Sequence, residues 1–157
     1  MAAYGNNAVQ LVNPGEDFTF SEILSPCVRK FIRFRQGESN FVLSGWLPQQ
    51  YRTCGCRCGN DSAEYLVQFG ANVQIPEGGT VAPIEVALTV NGSVVPLSRT
   101  IVTPTGAEEY FNVSKAIPID IWRNCCQNVT LRNVGTEPIQ AQNSIILFSR
   151  PDLAVTY

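Results

Sequence analysis

The sequence predicts an all-β, antiparallel fold, a sandwich or barrel of about ten strands. Three observations carry that expectation. Apolar and polar residues alternate with a period of two in one segment after another, turn residues separate the segments at short intervals, and no stretch shows the 3.6-residue period of an amphipathic helix. Without crossover helices, a parallel βαβ architecture is excluded.

The segment Ala63–Pro76 sets Tyr65, Val67, Phe69, Ala71, Val73 and Ile75 on one face, and Glu64, Gln68, Asn72 and Gln74 on the other. That is a strand with one face in a core. The next segment repeats the pattern with Ile84, Val86, Leu88 and Val90. Asn91-Gly92 then supplies the two positive-φ residues of a type I′ hairpin, and "SVVPL" runs back. Further strands are expected in "AVQLV", "DFTFSEIL", "VRKFIRF", "NFVLSGWL", "RTIVT", "EYFNVS", "IPIDIW", "NVTLRNV" and "IQAQNSIILFSR". Between them fall Asn13-Pro14-Gly15, Gln36-Gly37, Glu77-Gly78-Gly79, Thr105-Gly106 and Gly135. No linker or repeat interrupts the 157 residues, which read as a single domain, 1–157. Residues 1–7 and 151–157 are expected as flexible or docking tails, and 49–62 as a long cysteine-rich loop.

The last strand departs from strict alternation. In "NSIILFSR", Ile145 and Leu147 face one way while Ile146 and Phe148 face the other. A strand apolar on both faces is buried on both. The spacing from Ile139 puts Ile145 and Leu147 in the core, so Ile146 and Phe148 are expected at a subunit contact, or beneath a loop or terminus of the same chain. The composition points toward self-association too: 45% of residues are apolar and only 15% charged, against an ordinary charged share of about a quarter.

The composition also excludes partners. A net charge of -2 gives no global attraction to nucleic acid or to an anionic membrane. No stretch approaches the roughly 18 apolar residues of a membrane helix, and the start lacks a basic, then apolar, secretory signal. Synthesis in the cytosol is therefore expected, with release by lysis or assembly if the protein acts outside a cell. The chain has no histidine, which removes the commonest general base and every Ser-His or Cys-His nucleophile. The acid pairs Glu108-Glu109 and Glu16-Asp17 sit at turn or strand ends and read as solvated. No catalytic residue and no cofactor site is assigned.

Six cysteines remain: Cys27, Cys54, Cys56, Cys58, Cys125 and Cys126. The run Cys54, Cys56, Cys58 is a zinc candidate, since thiolates alone complete a tetrahedral site, but it lacks the paired C-x₂-C spacing. All six are disulfide candidates, within or between subunits, and six cysteines allow fifteen intrachain pairings, so the connectivity stays open. Free thiols are the third reading. One of Cys125 and Cys126 is expected to face inward as a small core residue. In "VRKFIRFRQ", Arg29, Phe31, Arg33 and Arg35 share one face. They read as a solvated stripe paired to Glu22, Glu16 or Asp17, or as a partner contact for an acidic protein surface such as a capsid shell.

Four motifs carry a resemblance: Gly78–Ile84, Glu109–Val113, the pair Cys125-Cys126, and Ala141–Ile145, with "NPGE" and "NFVLSGW" upstream. Together they resemble a group of proteins from Firmicutes and their phages, similar to the compact jelly rolls of the tumour-necrosis-factor and complement type. The resemblance implies a jelly-roll sandwich that assembles as a homotrimer on a virion or a spore surface. Taken with the missing histidine and the low charge, the expected function is that of a non-enzymatic structural virion protein of a bacteriophage made in the bacterial host cytoplasm, a capsid decoration or head-fibre protein whose partners are itself and a capsid or other virion protein. The alternative is a receptor- or glycan-binding module of a tail fibre, or a spore- or cell-surface trimer, with loop 49–60 recognising a glycan or host receptor.

Overall fold

A computed structural model describes residues 1–26, 31–46, 62–123 and 125–151. Their strands form two antiparallel sheets facing each other across one core. In the first sheet the order is β10 (Phe111–Trp122), β6 (Ser62–Gln74), β12 (Ile139–Ser149), β1 (Ala2–Asn6), β3 (Glu22–Ser25), with β2 (Gln10–Val12) continuing along β12 beyond β1. In the second it is β4 (Ile32–Arg33), β5 (Phe41–Ser44), β11 (Cys126–Asn133), β7 (Ile84–Val90), β8 (Ser93–Val94), with β9 (Thr100–Val102) also on β7. The chain crosses between the sheets repeatedly, after β3, β5, β6, β9, β10 and β11, the crossing pattern of a jelly-roll-like sandwich.

The alternation read in the sequence packs as expected. Tyr65, Val67, Phe69, Ala71, Val73 and Ile75 are buried against Ile84, Val86, Leu88, Val129 and Leu131 of the other sheet. The Asn91-Gly92 hairpin has φ of 50° and 84°, as type I′ requires. Its return strand β8 is only two residues long, because Pro96 has no N–H for the ladder and opens a 3₁₀ turn, Pro96–Ser98. An aromatic cluster fills one part of the core. Phe41 lies 4.6–5.4 Å, ring centre to ring centre, from Phe34, Tyr4, Phe148 and Phe20.

Two expectations are corrected. Residues 1–7 are no loose tail: Ala2–Asn6 form β1, buried along its length between β12 and β3. "AAYGN" is short and small, and only Tyr4 advertises a core position. Of the other expected tail, residues 152–157 lie outside the described residues. The second correction concerns Ile146 and Phe148, which are 0% and 1% exposed in the core of their own chain and unavailable to a neighbour. The reason is a β-bulge. Gln142 pairs with Asn72 and Ile145 with Gly70, so Asn143 and Ser144 together oppose Ala71 alone. Asn143 takes the strain with φ 52°. The extra residue inverts the parity of everything after it. Ile139 and Ala141 face inward before the bulge, Ile146 and Phe148 after it, and Ile145 and Leu147 turn outward.

A partly buried ion pair fastens the connection between β2 and β3 to the second sheet. Arg132 Nε lies 2.7 Å from Asp17 Oδ1 and Nη2 3.3 Å from Oδ2, a two-pronged contact, and Thr130 Oγ1 donates to the same Oδ1 at 2.9 Å. The hydrogen bond to Asp17 holds the Arg132 guanidinium above its ordinary pKa. At one end of the sandwich, Gly45 donates its N–H to Cys125 O at 2.8 Å, and a Cβ on Gly45 would lie 1.9 Å from Trp122 O. Only glycine permits that approach. Gly45→Ala should therefore lower stability by at least about 2 kcal/mol, the scale of overpacking a closed site, read as a Tm drop of about 4–8 °C at this chain length. An unchanged melting curve would contradict the packing described.

Candidate functional site

The segments that carry cysteines join the sandwich at one end. Ser62 pairs with Trp122, Ser44 with Cys126 and Ala3 with Ser25, while Phe31 O accepts from Ser44 N at 2.9 Å. Cys27, Cys54, Cys56 and Cys58 lie outside the described residues, as do the zinc candidates and loop 49–60 with them. Cys125 and Cys126 are both free and exposed. The expectation that one points inward is corrected: Cys125 precedes the strand, in the turn held by its N–H to Trp122 O. Cys126 has the outward parity of Asn128 and Thr130, opposite to Val129 and Leu131 in the core. Arg33 Nη2 lies 4.0 Å from Cys126 Sγ.

The arginine stripe does not survive as one surface. Arg29 lies outside the described residues, and only Ile32–Arg33 are strand. Phe31 turns against the core, its ring stacked on Trp46 at 5.4 Å and the Arg150 guanidinium over the same ring at 5.0 Å. Arg150 also lies 4.7 Å from the Tyr65 ring and donates to Trp46 O at 3.1 Å. Phe31 is thus packed at this end of the sandwich against Trp46, which is itself 51% exposed. Arg35 pairs with Glu38, 3.9 Å away across a turn, rather than with Glu22, Glu16 or Asp17. Asp17 is engaged by Arg132, and Glu16 accepts from the Asn13 backbone and side chain.

The acid pairs are structural as well. Glu109 accepts from the Thr105 hydroxyl at 2.9 Å and from the Thr105 N–H at 3.1 Å, closing the turn before β10. These bonds, the hydroxyl's first, hold its carboxyl below the ordinary value of 4.5. Among the described residues no group of three cysteine, aspartate or glutamate side chains gathers as a metal site.

Among the described residues, a shallow surface feature lies on the outer face of the first sheet, where sequence reading placed nothing. Two rows cross it. One runs Gly5, Ile145, Gly70, Ser114 and the next Ala3, Leu147, Gln68, Ala116. The small residues and the missing side chain of Gly70 open a trough of about 440 Å³ with Ile145 and Leu147 along it. Beyond it stand paired amides: Asn112 Nδ2 donates to Asn72 Oδ1 at 3.3 Å, and Gln74 Nε2 to Gln140 Oε1 at 2.8 Å. The one hint in the sequence is a glycine in the middle of the most regular strand, in "QFGAN".

No family model matches the chain, and no curated protein matches it. Among solved structures it is similar to the CBM22-1 xylan-binding domain from Paenibacillus barcinonensis Xyn10C, with 11% identity and a TM-score of 0.33 over 94% of this chain and 86% of that one. Neither a phage family nor a tumour-necrosis-factor-like family is shown.

The Glu109 turn gives a pH test. Its folded pKa is depressed, so its stabilising contribution is present above the ordinary carboxylate value and is lost as pH falls through the lowered one. A carboxyl NMR titration should place the Glu109 midpoint below 4.5, and Thr105→Val, which removes the hydroxyl bond and leaves the backbone ones, should move it upward toward the ordinary value. A midpoint insensitive to that substitution would show that the Thr105 hydroxyl is not the cause.

Proposed function

We propose that the chain is a non-enzymatic structural protein of a bacteriophage particle, a homotrimer that decorates the capsid or forms a head fibre. The observation that carries the self-association is the β3 edge of the first sheet, which pairs with no further strand among the described residues. Val9 and Leu11, beside and within β2, are 51% and 58% exposed, and Ile23 and Leu24 of β3 are 49% and 55% exposed. Natural proteins guard such edges with lysine, proline or a covering element. Here Glu22 is the only charge on these strands. A row of large apolar side chains along unpaired backbone is a surface that calls for another chain, and cyclic assemblies of identical copies are the usual way to cover one. The lack of histidine and the engagement of Asp17, Glu16 and Glu109 in structural contacts support the non-enzymatic reading. The sequence motifs shared with phage and spore-surface jelly rolls support the virion and the trimer.

Native mass spectrometry and sedimentation of the full chain should give three copies at micromolar concentration. Ile23→Lys with Leu24→Lys should weaken association at least tenfold while leaving the melting profile of the sandwich intact, since both side chains are half in solvent already. A wild-type chain that stays monomeric overturns the reading. For the particle assignment, the protein should appear in purified virions at many copies, set by capsid symmetry.

A further inference from the structure

The trough combines two features that folding alone does not require. Gly70 stands in the middle of β6, which is flanked on both sides by β10 and β12, and an interior glycine weakens a strand. Its backbone is not left-handed, and a Cβ there would meet its nearest neighbours, Ile145 Cγ2 and Ser114 Cβ, at 3.6 and 3.7 Å, ordinary contact distances. Any small residue fits the backbone; glycine alone supplies depth. On the neighbouring strand, the bulge at Asn143 turns Ile145 and Leu147 outward to the same spot. Interior glycines and bulges both recur where something approaches a sheet closely.

The lining selects the chemistry. Lys115 is its only charged residue, and its ammonium donates to Arg99 O at 3.2 Å, so no carboxylate is present for a metal ion and the one cation is already engaged. The Gln68 amide and the Ser114 hydroxyl make no hydrogen bond among the described residues. Asn112 and Asn143 donate to Asn72 and Asn7, which leaves their own amide oxygens as acceptors. Amides and a hydroxyl that both donate and accept, set around aliphatic Ile145 and Leu147, complement a sugar ring, with its hydroxyl rim and its C–H faces. We propose that the trough binds a neutral glycan across β10, β6 and β12. This site spans β10, β6 and β12, and β1 separates it from the edge strand β3 that carries Ile23 and Leu24. It goes beyond the assembly reading and does not depend on it.

The test is titration of the full chain, by calorimetry and by NMR, with neutral gluco-, galacto-, manno- and N-acetylglucosamine oligosaccharides. One class should bind, with amide shifts centred on Gln68, Asn112, Ser114 and Asn143. Gly70→Val, which fills the trough, and Gln68→Ala, which removes an unengaged amide, should each lower affinity at least tenfold, and Arg35→Ala, in the turn after β4 of the second sheet, should leave it unchanged. Sedimentation of the same variants reports assembly separately. The proposal is overturned if no oligosaccharide binds at millimolar concentration, or if binding survives both Gly70→Val and Gln68→Ala. It is equally overturned if Gly70→Val changes the number of subunits, which would make the trough a contact between copies.

Discussion

The bulge at Asn143 and Ser144 is the constraint on which the architecture of the first sheet depends. A β-strand has only two faces, so one extra residue exchanges them for the rest of its length. With it, Phe148 meets Phe41 and Tyr4 at the centre of the aromatic cluster, and Ile145 and Leu147 reach the outer surface. Without it, the second half of β12 would present Ile145 and Leu147 to the core, and the largest side chain of the pair of faces would stand in solvent. One asparagine held at positive φ therefore decides both what fills the interior and what the sheet displays.

The two ends of the sandwich are closed by different physics. At the end where β5, β6, β10 and β11 meet, aromatic and guanidinium groups close the fold: Trp46, Phe31, Arg150 and Tyr65 stack in contact, and Tyr65 donates its hydroxyl to Ser44 O at 2.7 Å. Gly45 lets the backbone approach there. Away from that end, hydrogen bonds and an ion pair hold the crossing chain. Asn133 donates its side-chain amide to Val12 O and Glu137 O, both at 2.9 Å, and Asp17 grips Arg132. Fully buried Asn133 is satisfied in this way, as a polar group in the interior must be.

What was legible in the sequence was whatever depends on period alone. The inward row of β6, the row of β7 and the Asn91-Gly92 hairpin follow from alternation and turn chemistry, and they fall where the pattern puts them. Three things were hidden because their cause is not local. The strand Ala2–Asn6 has too few large residues to show a period, and its burial comes from neighbours distant in sequence. The bulge costs one residue and leaves no composition signal beyond an asparagine. The arginine stripe presumed a long strand, whereas β4 is two residues and releases Phe31 to pack against Trp46. The trough was hidden for a related reason: it exists only when Gly70, Ser114 and Ile145 come side by side from three strands.

The placement of β1 sets the order in which the fold can be completed. Ala2 lies beside Phe148 and Asn6 beside Ser144, so this strand cannot find its inner neighbour until nearly all the intervening chain has been made. Closing so long a loop carries a slowly growing entropic penalty and a high contact order, both marks of slow, late docking. Until then β1 has only β3 to lean on, and its other flank stands uncovered. During synthesis β1 is made first and waits for the last strand, so its cover rests on the speed of that final docking step.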